Sequence, residues 1–188
     1  MRASSIDRMA DRWEYGGGTA RALWTKDAIG HLRLGIQAIE WVDAEGRIRW
    51  VAPEAGNEAV IGFDLSREAE SKNALERARG AKAAIYSDQM SFIQGGQGFL
   101  VVRALSVAGR FDGYLVNVIN TDHLFAGLSK EIATRGYGLD VSRDGVLLYR
   151  RGGVPDAATA GLARSFKLNI PVGNAGNWQL RLWPNQTA

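Results

Sequence analysis

The feature that most restricts how this chain can fold is a change of hydrophobic period at Gly35. Before it, Ile6, Met9, Ala10 and Trp13 recur at i, i+3, i+4 and i+7, the spacing of one helical face. Gly16-Gly17-Gly18 interrupts that pattern, since each glycine costs a helix about 1 kcal/mol. A second helix resumes with Ala20, Leu23, Trp24, Ala28 and His31 on one side, and Gly35 supplies its stop signal. Beyond Gly35 the pattern is that of strands. Ile36–Asp43 runs into the turn Asp43-Ala44-Glu45-Gly46, and Arg47–Val51 returns as its hairpin partner until Pro53, which has no ladder donor.

The same alternation of hairpins and helices continues. Ser66–Arg79 carries a helical pattern in Ala69, Ala74, Leu75 and Ala78, with Ser66 as its expected N-cap and Glu68 and Glu70 in the first turn. Short strands are expected at Ala83–Tyr86 and Gln89–Ile93, followed by Phe99–Leu105 and Arg110–Asn120, then a helix at Asp122–Ala133. Tyr137–Ser142 and Val146–Arg150 form a second hairpin around Arg143-Asp144-Gly145. A helix over Asp156–Arg164 and strands at Phe166–Ile170 and Trp178–Trp183 complete the chain. Neighbouring strands paired in hairpins make this an α+β fold with antiparallel sheets, not a doubly wound one. The stretch Val42-Asp43-Ala44-Glu45-Gly46-Arg47 is echoed by Val141-Ser142-Arg143-Asp144-Gly145-Val146, which points to two related sheet units.

Composition sets the outer limits. The 188 residues, 46% hydrophobic and 23% charged, suit a globular chain of one domain or two small ones. The net charge is +3, but the cations come in pairs such as Arg47/Arg49 and Arg150/Arg151, so nucleic acid is not an expected partner. Two histidines and no cysteine exclude a zinc finger, a thiol nucleophile, an iron–sulfur site and any disulfide. No GxSxG, HExxH, phosphate-loop or EF-hand spacing occurs, so neither an enzyme nor a cofactor is expected. The first eight residues lack the apolar core of a signal peptide, and the longest apolar run, 99–102, falls far short of the roughly 18–20 residues of a membrane span. The chain reads as soluble, or as a piece lying between two membrane helices.

A few residues carry chemistry worth weighing. Phe99, Val101, Arg103 and Leu105 fall on one strand face, which places a cation in an apolar row. Arg103 therefore needs either an internal acid or an anionic group on a ligand. Asp64 precedes a helix and either caps it or serves as an acceptor at the mouth of a sheet pocket. Trp41, Trp50, Tyr86 and Tyr114 read as core, although sheets that bind small molecules line pockets with such aromatics. His31 and His123 read as packed or surface residues before they read as ligands or bases. Gln94-Gly95-Gly96-Gln97-Gly98 lacks the lysine and helix of a phosphate cradle and reads as a hairpin turn.

Between about Ile36 and Leu128 the order of several stretches resembles the CHASE domain, the extracytoplasmic ligand-sensing module of bacterial sensor kinases and diguanylate cyclases and of plant cytokinin receptors. The stretches are Gly35-Ile36-Gln37-Ala38-Ile39-Glu40-Trp41, Gly62-Phe63-Asp64-Leu65, Ala74-Leu75-Glu76-Arg77-Ala78-Arg79, Gly95-Gly96-Gln97-Gly98-Phe99-Leu100-Val101 and Gly113-Tyr114-Leu115. The resemblance implies a long N-terminal helical stalk over 1–34, a membrane-distal PAS-like subdomain over 35–133 that binds the ligand, and a membrane-proximal PAS-like subdomain over 134–188. It makes Asp64 the counterpart of the aspartate that binds the adenine-like ligand in the plant receptors, and it matches Ile85 and Tyr114 to pocket positions. Arg103 and Phe99 depart from the plant pattern, which disfavours cytokinin and, if Arg103 faces the cavity, favours a carboxylate-bearing ligand.

The residues expected to bind a small molecule are thus Asp64, Arg103, Tyr114, Ile85, Trp50, Tyr86 and Phe99. The resemblance further implies a periplasmic domain of an inner-membrane receptor, homodimeric, held to the membrane through flanking transmembrane helices. The other reading is a structural, dimerisation or partner-binding module with no small-molecule ligand. A cavity opened by inward-pointing polar groups separates the two.

Overall fold

The change of period at Gly35 becomes a boundary between helices and sheets. The computed structural model describes residues 5–16, 21–32, 35–156, 160–168 and 176–184. Helices α1 (Ser5–Gly16) and α2 (Arg21–His31) precede strands β1 (Ile36–Val42) and β2 (Ile48–Ala52). A 3-10 turn at Leu65–Arg67 leads to α3 (Ala69–Arg79), the short strands β3 (Ile85–Tyr86) and β4 (Met90–Ser91), and the long pair β5 (Gln97–Val107) and β6 (Arg110–Asn120). Helix α4 (Thr121–Thr134) then passes the chain to β7 (Tyr137–Arg143), β8 (Val146–Arg151), β9 (Arg164–Leu168) and β10 (Trp178–Pro184).

Both sheets are antiparallel. The first runs β2-β1-β6-β5-β3 with β4 also paired to β5, and the second runs β8-β7-β10-β9. The sequence echo marks equivalent places in them. Each sheet opens with a hairpin whose register shifts near the turn, at Trp41/Val42 and at Val141/Ser142. Each turn is closed by a glycine in the left-handed region, Gly46 at φ 92° and Gly145 at φ 84°.

The first sheet is covered on both faces, by different partners. One face receives α1, whose stripe of Ile6, Met9, Ala10 and Trp13 is buried. The Trp13 ring lies 3.9 Å from Trp24 and 5.8 Å from Trp41, and Trp24 lies 6.1 Å from Trp50. Polar contacts fix the helix in register. Trp13 Nε1 donates to Asp112 Oδ2 at 2.8 Å, and Glu14 accepts the Ser106 amide at 3.1 Å. Farther along the same face, Phe99 meets Trp178 at 5.7 Å, and α4 adds Phe125 against Tyr149 at 5.3 Å, so the two sheets share one core. The opposite face carries α3, which buries Ala74, Leu75 and Ala78 with Val102, Tyr114 and Val116.

Several expectations shift. Ser66 is not the cap of α3. Asp64 accepts the Ser66 amide and closes a separate 3-10 turn, and the extended backbone of Glu68 breaks the helical path before α3 begins. Leu23 is 61% exposed, because Trp24 and Ala28 form the buried face of α2. The last hairpin starts earlier than its apolar residues suggest: β9, Arg164–Leu168, begins where the spacing predicts the end of a helix. The expected helix at 156–164 and the end of the expected strand at Ile170 lie partly outside the described residues.

Trp13 is the main anchor of α1, so Trp13→Ala is expected to cost about 3–5 kcal/mol in urea unfolding, as for other large core truncations. A loss below about 1 kcal/mol would show that α1 does not depend on this contact.

Candidate functional site

The α3 side of the first sheet is not fully filled. Alternation along the strands sends Glu40, Ile48, Leu100 and Val118 to this face. They form the buried floor of a cavity of about 220 Å³. Val60, Phe63 and Leu65 form one wall, supplied by the segment between β2 and α3 that holds the 3-10 turns Glu58–Val60 and Leu65–Arg67. The opposite wall is the β4–β5 hairpin, through Met90, Phe92 and Gln94. Glu68, Ser91 and Ile93 stand at the exposed rim. The hairpin can bend back over the sheet because Gly95 and Gly96 are both left-handed, at φ 87° and 86°.

Glu40 is the distinctive group. It sits on the interior strand β1, opposite Val51 on one side and Val116 on the other, and is 2% exposed. Burial pushes its carboxyl up to about 8, against a smaller downward pull from a hydrogen bond with the Gln94 side chain. Among the described residues, no lysine, arginine or histidine lines the cavity. An acid held in an apolar pocket without a cation is an arrangement found where charge is used rather than merely tolerated.

The residues singled out in the sequence are placed elsewhere, and they do not converge. Trp50, Tyr86, Phe99 and Arg103 lie on the opposite face, toward α1 and the second sheet. Arg103 Nε lies 3.4 Å from Asp7 Oδ1 on α1, and its Nη1 donates to the Ala104 carbonyl at 2.7 Å. Its partner is therefore the internal acid, and it is turned away from the cavity over Glu40. Ile85 and Tyr114 are on the cavity's face but pack beneath α3, where Phe111 meets Tyr114 at 5.0 Å. Asp64 is turned away while its neighbours Phe63 and Leu65 line the cavity. The Ser66 hydroxyl holds its carboxyl below the ordinary range against a rise from burial, and the Ser66 amide, Arg47 and Arg67 add to that. His31 lies beside Asp27 at 4.0 Å, and the His123 amide caps onto Asn120 at 3.1 Å. Sequence reasoning missed Glu40, although an acid between Ile39 and Trp41 in an apolar strand was the available signal.

Two other concavities differ in character. A cleft of about 390 Å³ between the sheets is lined by Asp88, Gln89, Arg143 and Val146, with Asp88 and Val146 well exposed. A groove between α1 and α2 includes Tyr15, which is 94% exposed. The cleft holds a buried cation, Arg143, which is engaged by the Ser87 carbonyl and Asp88, whereas the charged groups of the groove, Asp11, Arg12 and Asp27, are at least partly exposed.

Comparison with known proteins places this architecture. A family model described as the CHASE domain matches residues 10–149. The chain belongs to the CHASE family. As a CHASE domain it is a ligand-sensing module of the extracytoplasmic kind. Comparison with curated proteins finds no match. Among solved structures it is similar to an extracellular ligand binding receptor from Desulfohalobium retbaense, with TM-score 0.71 and 18% identity over 96% of this chain and 36% of that one. It is also similar to the ligand-binding domain of the Pseudomonas aeruginosa amino acid chemoreceptor PctC in complex with GABA, with TM-score 0.60 and 14% identity over 96% and 88%. The sensor domain of the Vibrio cholerae histidine kinase DctB has TM-score 0.57 at 8% identity over 98% and 86%. At these identities the likeness is one of fold.

Because the folded chain keeps the Glu40 proton up to about pH 8 while the unfolded chain releases it near 4.5, CHASE-domain stability falls as pH rises between those values. Glu40→Gln removes that dependence. In urea unfolding from about pH 5 to 8, the stability of the variant relative to the natural chain is expected to grow by up to about 1.4 kcal/mol per pH unit. A difference that stays constant with pH would contradict the burial of an ionisable Glu40.

Proposed function

We propose that this chain is the ligand-binding part of a transmembrane receptor, taking a small molecule into the cavity over Glu40 and passing a displacement toward the membrane. The observation that carries this reading is a buried carboxyl at the floor of a cavity whose walls are loops. A sealed core would have filled that space, and a purely structural module has no use for an acid there. GABA, bound in the similar chemoreceptor domain, is of a size that fits this reading.

Two connections give the cavity a route out. The segment that forms its hairpin wall also reaches the second sheet. Arg143 of β7 donates to the Ser87 carbonyl and lies 3.7 Å from Asp88, and the Gln89 amide donates to the Leu148 carbonyl at 3.2 Å. On the other side, β5 and β6 supply Leu100 and Val118 to the floor and, on their reverse face, hold α1. A shift of the β4–β5 hairpin on binding moves both attachments. To turn a 1:99 equilibrium to 99:1, the ligand must bind one state more tightly by about 5.5 kcal/mol. In the whole receptor, the stalk 1–34 and the proximal subdomain 134–188 carry that shift to flanking transmembrane helices of a homodimer, with the domain in the periplasm.

A thermal-shift screen against amino acids, amines, carboxylates and purines tests the site. At least one class is expected to raise the melting temperature saturably. Ile93→Trp, at the exposed rim, is expected to abolish that rise, whereas Val146→Trp in the inter-sheet cleft leaves it intact. The reverse pattern would move the ligand to the cleft.

A further inference from the structure

The lining of the cavity has a sign. Its ionisable groups are Glu40 at the floor and Glu68 at the rim, and its other polar groups include the Gln94 amide and the Ser91 hydroxyl. Among the described residues, no cation lines the cavity or acts on Glu40. On the same face of the sheet, other charged or titratable groups include Tyr114 of β6 with Arg79 and Glu76 of α3, which interact with one another, and Lys72 of α3, which lies 4.0 Å from Glu76. Arg103 neighbours the floor in sequence but answers to Asp7 on the other face. An anionic ligand would find no cation in the lining to neutralise it and would leave Glu40 protonated, whereas a cation stabilises the ionised carboxylate that burial alone disfavours.

We propose that the cavity over Glu40 selects a small organic amine, with the ammonium held at the Glu40 carboxylate and the apolar body against Phe63, Leu65, Phe92 and Leu100. The assignment rests on the reading of this cavity as the ligand site. Size narrows the class. A space of about 220 Å³ is below the usual span for drug-sized ligands and matches about seven waters at ~30 Å³ each, so it admits a compact monoamine or amino-acid-sized molecule. An ammonium is suited to this place because its donors can use the carboxylate and its carbon body can use the walls. Gln94 already hydrogen-bonds Glu40, and so the hairpin wall is coupled to the same carboxylate that holds the ligand. Binding also changes the proton balance. Before binding, Glu40 keeps its proton to about pH 8, and a bound ammonium requires it to be released.

The probes are isoamylamine and phenethylamine, with isoamyl alcohol and isovalerate as neutral and anionic counterparts, titrated calorimetrically into the chain and into Glu40→Gln. The amines are expected to bind at least tenfold more tightly than the alcohol, with isovalerate weakest, and Glu40→Gln is expected to lose at least tenfold for the amines alone. Between about pH 6 and 8 the amine affinity is expected to rise toward tenfold per pH unit in the natural chain and to stay flat in Glu40→Gln. Amines binding no better than the alcohol, or equally well to Glu40→Gln, overturn the proposal. If another class of molecule binds and Ile93→Trp abolishes it, the cavity stands and only the amine assignment falls. If a bound molecule is indifferent to Ile93→Trp, the cavity itself is not the site.

Discussion

Every part of this molecule that bears on function is attached to one antiparallel pair, β5 with β6. Both strands are 11 residues long, and they pair from Gly98↔Asn120 to Val107↔Arg110. Their side chains alternate between two largely apolar faces, with Arg103 and the buried Asn117 as the polar members on the α1 side. Leu100, Val102, Val116 and Val118 face α3 and the cavity, while Phe99, Val101, Leu115 and Ile119 face α1 and the second sheet. A slip of one residue would exchange the two sets, so burial on both faces fixes the register. The floor of the cavity and the seat of α1 are then opposite sides of the same backbone, and neither can move without the other registering it.

This arrangement explains why charge is distributed so unevenly over the two faces. On the α1 side, several acids have partners: Asp7 meets Arg103, Asp27 meets Arg12, and Asp112 meets the Trp13 indole. In the second sheet Asp140 sits between Arg150 and Arg181 of the flanking strands, which hold its carboxyl below the ordinary range despite the rise that burial alone would cause. Glu40 differs. Its hydrogen-bond partner is a neutral amide from a hairpin tip, and burial wins over that contact. Glu40, the acid whose carboxyl burial pushes up, lies on the face with space beside it.

Much of the architecture was legible from periodicity. The break at Gly35, both hairpins, α1 with its stripe and the long pair at Phe99–Leu105 and Arg110–Asn120 all follow from residue spacing, because local alternation and tertiary burial agree there. Order of motifs carried the family. The boundaries that shifted lie where short-range side-chain bonding competes with propensity, as when Asp64 draws Ser66 into its own turn. The site was harder to see. Alternation correctly puts Arg103 beside Phe99 and Val101, but it does not say which face of a doubly covered sheet keeps a cavity. That depends on how far α3 reaches and where the β4–β5 hairpin folds back, both of which are long-range. The motif Gly62-Phe63-Asp64-Leu65 does border the cavity, through Phe63 and Leu65 rather than through Asp64.

The central claim is that the ligand sits between the β4–β5 hairpin, the 3-10 turn and the floor of the first sheet. It is tested most directly by amide chemical-shift mapping of the labelled chain during titration with any molecule that stabilises it. The account predicts that the earliest shifts cluster at 39–41, 62–65 and 90–95, followed by 87–89 and 143 at the junction with the second sheet. Shifts confined to the faces of α1 and α2, or to the cleft at Val146 and Leu148 with Glu40 and Gln94 unmoved, would contradict it.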